Sequence, residues 1–207
     1  DAGDTAAYSI SGTDVGDFSI NASTGVLTFA STPDYENPTD ANTDNTYIVI
    51  VTVTDSGSFT GTQVLIVSVT GLNDNHPSIT SNSSISFAEN NTSAVTTITS
   101  TDLDAGDTAA YSISGEDVDD FSIDSGSGVL TFINTPDFEN PTDSNTDNTY
   151  IVIITVTDSG SLTDTQTITI TVTGVNEAPI ITSNGAGSTS SISFAENNTS
   201  AVTIITS

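Results

Sequence analysis

The feature that most constrains this chain is that it repeats itself. The string DAGDTAAYSISG at residues 1–12 recurs at 104–115. TPDYENPTD at 32–40 returns as TPDFENPTD at 135–143, and DNTYIVI at 44–50 returns at 147–153, all at an offset of 103. SSISFAENNTSAV at 83–95 returns at 190–202 with the offset lengthened to 107. The added residues fall around Gly185-Ala186-Gly187-Ser188-Thr189, a turn-rich stretch where extra length is tolerated. A period of this length means copies of one folded unit in tandem. The register divides the chain into a unit lacking its first strand (1–76), a complete unit (77–178), and a linker with the first strand of a further unit (179–207). Ser207 matches Ser100 and Asp1 matches Asp104, so Thr-Asp-Leu appended after Ser207 would restart the repeat.

Within a unit the hydrophobic period is 2 rather than 3.6, as in IVIVTVTD at 48–55 and TQTITITVTG at 165–174. Gly, Asn, Asp and Pro clusters separate about seven such runs over roughly a hundred residues, the pattern of an all-β sandwich. Tyr8, Phe18, Phe29 and Tyr47, with Tyr111, Phe121, Phe132 and Tyr150, fall inside the runs and are expected in the core. Net charge alone would suggest disorder. Against that, hydrophobic residues make up 34% of the chain and gather in Val/Ile-rich alternating runs, so it should fold.

Charge then narrows function. There are 27 Asp and Glu, one His, and neither Lys nor Arg, for a formal charge of −27. Without fixed positive charge the chain has no means of neutralising nucleic-acid phosphates or docking on anionic lipid. Nucleic-acid partners and direct membrane insertion are therefore not expected, and there is no apolar run of about 20 residues. With no Cys there is no disulfide framework or thiolate chemistry. Whatever balances the carboxylates must come from solution.

The acidic residues recur in order in each unit: FAENN, DLDAGD, PDYENP, VTVTDSG and GLNDNHP. Scattered acids such as Asp14 and Asp120 read as turn and solubility residues. The ordered clusters read as more. Ca²⁺ takes 6–8 oxygens from carboxylates, amides and carbonyls. Asp-x-Asp and Asp-x-Glu in extended chain place two carboxylates on one face.

This ordered set, with FSINASTGVLTF at 18–29 between its members, resembles the cadherin repeat, especially the cadherin-like tandem domains of large bacterial surface proteins. The resemblance covers the whole chain and implies tandem Greek-key β-sandwich repeats, cadherin- or immunoglobulin-like, in an elongated array with Ca²⁺ between successive units. By that resemblance the junction between the first two units draws on Asp34, Glu36 and Asp74 upstream, with the Asn73 side chain and the carbonyls of Leu72 and Asn75. Downstream it draws on Asp102, Asp104 and Asp158, and on a carbonyl near Asp107. Asp1 and Asp55 would serve the preceding junction. Glu89, Asp137, Glu139, Asn176 and Glu177 would form the upstream half of the next. Gly71 and Gly174 stand where many members have an Asp, and Asn-Glu-Ala at 176–178 replaces Asn-Asp-Asn, which predicts a weaker second junction.

Other candidates carry less. DANTDN at 40–45, repeated as DSNTDN, has alternating oxygens. But Asn45 stands where an EF-hand needs Gly, and Val51 where it needs Glu, so a polar hairpin loop is the preferred reading. His76 reads as a solvent-facing spacer. Asn21, Asn82, Asn90, Asn91, Asn197 and Asn198 meet the N-x-[ST] rule, which a Ser/Thr/Asn-rich chain satisfies by chance. The preferred function is an extracellular or cell-surface calcium-rigidified adhesion or spacer array that contacts other copies of the repeat. A filament joined head to tail by strand complementation is the first alternative and a glycan-binding adhesin the second, with surface proteins as further candidate partners. No catalytic constellation is expected, because near-identical repeats leave no unique His, Cys or Ser set.

Overall fold

The computed structural model describes residues 5–183, 189–197 and 199–206. Five strands build the first repeat: β1 (Ala7–Ser11), β2 (Phe18–Ile20), β3 (Leu27–Phe29), β4 (Thr46–Thr54) and β5 (Thr60–Ser68). Nine follow in the second: β6 (Ser78–Ile79), β7 (Ser84–Ala88), β8 (Thr96–Thr97), β9 (Ser100–Thr101), β10 (Ala110–Ser114), β11 (Phe121–Ile123), β12 (Val129–Phe132), β13 (Thr149–Thr157) and β14 (Thr163–Thr173). Two three-residue 3₁₀ turns, Val15–Asp17 and Val118–Asp120, occupy the same place in the two repeats. None of the described residues forms a helix long and apolar enough to cross a membrane.

The second repeat is a two-sheet sandwich. One sheet runs β10-β13-β14-β7 and the other β11-β12-β8, with β6 and β9 paired beside them. Alternation along β13 decides what is inside. Tyr150, Val152, Ile154 and Val156 are fully buried, while Ile151 and Ile153 between them face outward. On β14, Ile168, Ile170 and Val172 close the core from the next strand. Phe121 and Phe132 pack against each other with rings tilted by 37°, and both meet Tyr150 nearly perpendicular, at centroid distances of 5.7 and 5.1 Å.

The first repeat has the same hairpins in the same register. Tyr8↔Val53 corresponds to Tyr111↔Val156, and Val49↔Leu65 to Val152↔Ile168. Its core is smaller: among the described residues its fully buried apolar side chains are Phe18, Tyr47 and Val49. In the second repeat β7 runs parallel to β14, pairing Ile85 with Ile170 and Phe87 with Val172, and β8 pairs with β12. Among the described residues no strand takes those places against β5 and β3. Leu65, Val67 and Val69 are therefore only half-buried, where Ile168, Ile170 and Val172 are closed off. The described residues of 179–207, expected as a linker and the first strand of a further repeat, include no strand. A strand has no use for its backbone donors and acceptors without a neighbour. One hydrogen bond of the second repeat nonetheless recurs there. Thr182 N donates to Thr206 O at 2.9 Å, as Thr80 N does to Thr99 O at 2.8 Å.

Two buried carboxylates per repeat hold the loops that frame the sandwich. Asp14 accepts from Ala41 N at 2.8 Å and Ile48 N at 2.6 Å, and Asp117 accepts likewise from Ser144 N and Ile151 N. Asp14 is thus an interior staple rather than a solvated turn residue. Asp40 accepts from Asp44 N and Asn45 N of its own loop, and Asp143 from Asp147 N and Asn148 N. Their oxygens are spent on backbone donors, which agrees with a polar hairpin loop at DANTDN.

The β2–β3 and β11–β12 turns supply an internal control. Asn21 Oδ1 accepts from Ser23 N and Thr24 N, and Asp124 Oδ1 accepts from Gly126 N, Ser127 N and Ser127 Oγ in the same place. These bonds, led by the Ser127 backbone, hold the Asp124 carboxyl below its ordinary 3.8. Its contribution to stability is therefore present above pH 3.8 and lost as pH falls through the lower folded value. Asp124→Asn is expected to keep the turn and flatten that part of the acid limb, read as melting temperature against pH.

Candidate metal centres between the repeats

The linker after β5 runs through Asn73, Asp74 and Asn75 onto the end of the second repeat. Asp104 receives it there. One of its oxygens accepts from Asp74 N at 3.1 Å and Asn75 N at 2.9 Å, and the other from Asn75 Nδ2 at 2.8 Å. The carboxylate is nearly buried, and its pKa lies below the ordinary value chiefly because of the Asn75 side-chain bond. Asn73 Nδ2 donates to Asp107 Oδ2 at 3.0 Å and to Ser159 Oγ at 3.1 Å. Ser159 also donates to Asp107 through both its backbone N–H and its hydroxyl, and the hydroxyl bond is the largest cause of the lowered Asp107 pKa.

Three carboxylate groups result among the described residues, each with one oxygen per residue within 4.8 Å of the others. Glu36, Asp74 and Asp104 combine both repeats. Asp102, Asp107 and Asp158 lie at the end of the second repeat facing the linker. Glu89, Asp137 and Glu139 lie at its far end. With no cation beside them, such groups oppose one another. Glu36 is held above 4.5, first by desolvation and then by Asp104, Asp74 and Asp34. Glu139 is raised by desolvation, then by Glu89 and Glu177. For both the sign is the reverse of Asp124: protonation favours the folded form, and the contribution fades as pH rises through the folded value.

Two oxygens test whether a metal ion fits. Asp102 Oδ2 and Asp158 Oδ2 are buried with no hydrogen-bond partner, and both belong to the group that includes Asp107. A buried anionic oxygen left unpaired is strongly unfavourable, and a hard divalent cation is the partner an all-oxygen set selects. The residues fit calcium.

The other expected ligands are placed as follows. Asp34 stands beside Glu36 but spends Oδ1 capping its own turn, accepting from Glu36 N and Asn37 N. Asp107, expected to act through a nearby carbonyl, brings its carboxylate instead. Leu72 is exposed, and Asn75 contributes hydrogen bonds from its side chain. At the far end Glu89 is buried, with Val175 N at 2.5 Å and Phe138 N at 2.8 Å lowering its pKa. Glu177 is held near this group by Asn90 Nδ2 at 2.7 Å, and Asn176 is exposed beside it. Asp55 accepts from Phe59 N within its turn, and its expected companion Asp1 lies outside the described residues. The sequence reading missed Ser159 and Asn90. Each adjoins an expected cluster, but nothing in its own spacing signals a role. His76 Nδ1 lies 3.3 Å from Thr163 O, and His76 is a member of none of the three carboxylate groups.

Comparison with known proteins agrees with this architecture. Residues 83–173 match the family model for the cadherin domain. Protocadherin Fat 4 of Mus musculus is 36% identical over 137 residues, 63% of this chain and 3% of that protein. Protocadherin-23 of Homo sapiens is 31% identical over 159 residues, 73% of this chain and 4% of that protein. The chain therefore spans only a few per cent of the length of these relatives. Among solved structures, protocadherin gammaB7 EC3-6, determined as a cis-dimer, superposes with a TM-score of 0.66 at 26% identity, covering 87% of this chain and 43% of that one. Mouse cadherin-23 EC22-24 shares the fold at a TM-score of 0.63 and 24% identity, over 83% of this chain and 53% of that one. Domains of this family are Greek-key β-sandwich adhesion modules, not enzymes. Residues 83–173 are a cadherin domain, and the chain that carries them is cadherin-like.

Proposed function

We propose that the chain is a segment of an extracellular, calcium-rigidified adhesion or spacer array. The observation that carries this reading is the pair of orphaned oxygens, Asp102 Oδ2 and Asp158 Oδ2, buried beside the linker in an all-carboxylate group. Asp104, Asp107, Asp102 and Asp158 of the second repeat and Glu36 and Asp74 of the first would hold Ca²⁺. Bound calcium supplies the positive charge that Lys and Arg do not. The Asn73 amide, a donor to Asp107, presents its oxygen at the same place after a half-turn about χ2. With the carboxylates neutralised, the hydrogen bonds from Asp74, Asn75 and Asn73 keep the linker seated and the two repeats in one orientation. Without that neutralisation their repulsion works against those same bonds. Millimolar calcium outside cells suits sites of the extracellular class, with dissociation constants of about 10⁻⁴–10⁻³ M.

Small-angle scattering of the chain with calcium and with EGTA tests the reading. The expected result is a larger and better defined maximum dimension with calcium; identical profiles in both would overturn it. The raised Glu36 adds a second readout. Calcium binding should release protons near and above pH 4.5 and weaken as pH falls through that range, seen as buffer-dependent heats in calorimetry.

A further inference from the structure

One aromatic residue stands inside each loop that carries metal-facing acids: Tyr35 between Asp34 and Glu36, and Phe138 between Asp137 and Glu139. It is held from two sides. Its carbonyl accepts from the side chain of an asparagine ten residues on, Asn45 Nδ2 to Tyr35 O and Asn148 Nδ2 to Phe138 O, both at 2.9 Å. Its ring lies over the glycine that opens the linker. A Cβ added at Gly71 would lie 3.0 Å from the Tyr35 ring, and one at Gly174 would lie 3.1 Å from the Phe138 ring. The nearest Tyr35 atoms are Cδ1, Cε1 and Cγ, at the root of the ring, so the side chain has no short way clear. Gly71 and Gly174 are also the positions where the linkers lack the Asp of the family pattern.

The asparagine ties more than that carbonyl. Asn45 and Asn148 both adopt φ +64°, a left-handed conformation that asparagine and glycine accept with least strain. There the Asn45 N–H donates to Asp40 Oδ1 at 3.2 Å, and the Asn45 carbonyl accepts at 3.0 Å from Val69 N, just ahead of Gly71. Asn148 repeats both bonds, with Asp143 and Val172. One residue thus joins the segment that leads into the linker to the loop that carries Glu36 or Glu139. Its amide orientation is fixed by the partner. Turned over, it would set Oδ1 against the Tyr35 or Phe138 carbonyl oxygen. As placed, Oδ1 is buried without a partner in both repeats, so the position is held by its backbone and by Nδ2 in spite of that oxygen.

We infer that Asn45, Tyr35 and Gly71 form a latch that positions Glu36 for the carboxylate group at the junction, and that Asn148, Phe138 and Gly174 do the same for Glu139 at the far end. They are positioning residues rather than ligands. Tyr35 and Glu36 line one cleft with Asp104 and Asp107, so a shift of the loop moves Glu36 against its partners from the second repeat. At the far end Glu89 adds a third hold, accepting from Phe138 N at 2.8 Å. The positioning of a metal ligand rests on the calcium reading above; the packing of ring, glycine and asparagine does not. One consequence runs against charge counting. An acid at residue 71 brings a further negative charge to the junction, which alone should strengthen calcium binding. The latch gives the opposite sign, because any side chain there lifts the Tyr35 ring and Glu36 with it.

Calcium titration of the isotope-labelled chain tests the latch, followed by NMR at the Asn75 and Asp104 amides for the junction and at the Phe138 and Glu139 amides for the far end. Asn45→Gly keeps the left-handed backbone and removes Nδ2. The expected result is calcium affinity about tenfold weaker at the junction, the scale for losing a residue that orients a ligand, with the far end unchanged. Asn148→Gly should do the reverse. A general loss of stability would instead move both ends together and count against the latch. Gly71→Asp should also weaken the junction, and in a Tyr35→Ala background the same change should weaken it no further. In EGTA the Glu36 and Asn37 amides, which donate to Asp34 Oδ1, should exchange with water faster in Asn45→Gly than in the parent. Unchanged exchange there, parental affinity in Asn45→Gly, or tighter binding in Gly71→Asp would each overturn the inference. A parent that takes up no calcium would sink the calcium reading alone, and the exchange in EGTA would still decide the latch.

Discussion

Asp104→Ala is expected to leave calcium-replete chain scattering as the EGTA-treated parent does, with calcium affinity at the junction reduced by at least about tenfold. Asp104 does two things at once. Its oxygens hold the linker through Asp74 N, Asn75 N and Asn75 Nδ2, and it belongs with Glu36 and Asp74 to a carboxylate group that spans both repeats. Asp104→Asn separates the roles. It keeps an acceptor for the linker and removes the charge, so it should retain more of the junction's order without calcium and gain less on adding it. Calcium titration followed by calorimetry and scattering reads both. Parental affinity in Asp104→Ala would show that Asp104 is a structural hydrogen-bond acceptor and no ligand.

Tyr150→Ala should produce the largest loss of stability of any single change in the second repeat, about 3–5 kcal/mol. The ring is fully buried between Phe121 and Phe132, and its hydroxyl accepts from Thr142 N at 3.1 Å. Alanine leaves a cavity with rigid strand walls and orphans a backbone donor. Against a domain stability of about 5–15 kcal/mol this is a large fraction. At roughly 4–8 °C per kcal/mol, the melting temperature should fall by well over ten degrees. Tyr150→Phe should cost only about 1 kcal/mol, the share of the hydroxyl. Tyr47→Ala in the first repeat should cost less than Tyr150→Ala, because its neighbours Leu65 and Val67 are half-open and the site can collapse or admit water. Equal losses in calorimetry would mean that the first repeat's core is closed in solution.

The repeat register, the alternation along β4 and β13, and the aromatic core were legible because each depends on local periodicity and on one copy explaining the other. The acidic clusters were legible for the same reason. Their partners were less so. Asp14 reads as a turn residue in sequence, yet its carboxylate meets Ala41 N and Ile48 N, 27 and 34 residues away, through a path only the folded loop creates. Asp107 was assigned a carbonyl role. Which of its groups faces Asp102 and Asp158 depends on how the DAGD turn bends at Gly106, which adopts φ +85°. Ser159 carries no signal because its role comes from where the β13–β14 hairpin ends relative to the linker.

The parallel pairing of β7 with β14 decides how a repeat answers to force. Tension carried along the chain enters near the start of β7 and leaves near the end of β14, and these two strands are side by side and codirectional. Pulling them in opposite directions slides one past the other, so the five residue pairs from Ser84↔Thr169 to Ala88↔Thr173 resist together rather than opening one at a time. A repeat wired this way yields by shear, and a chain of them would hold under load until a whole strand pair gives at once.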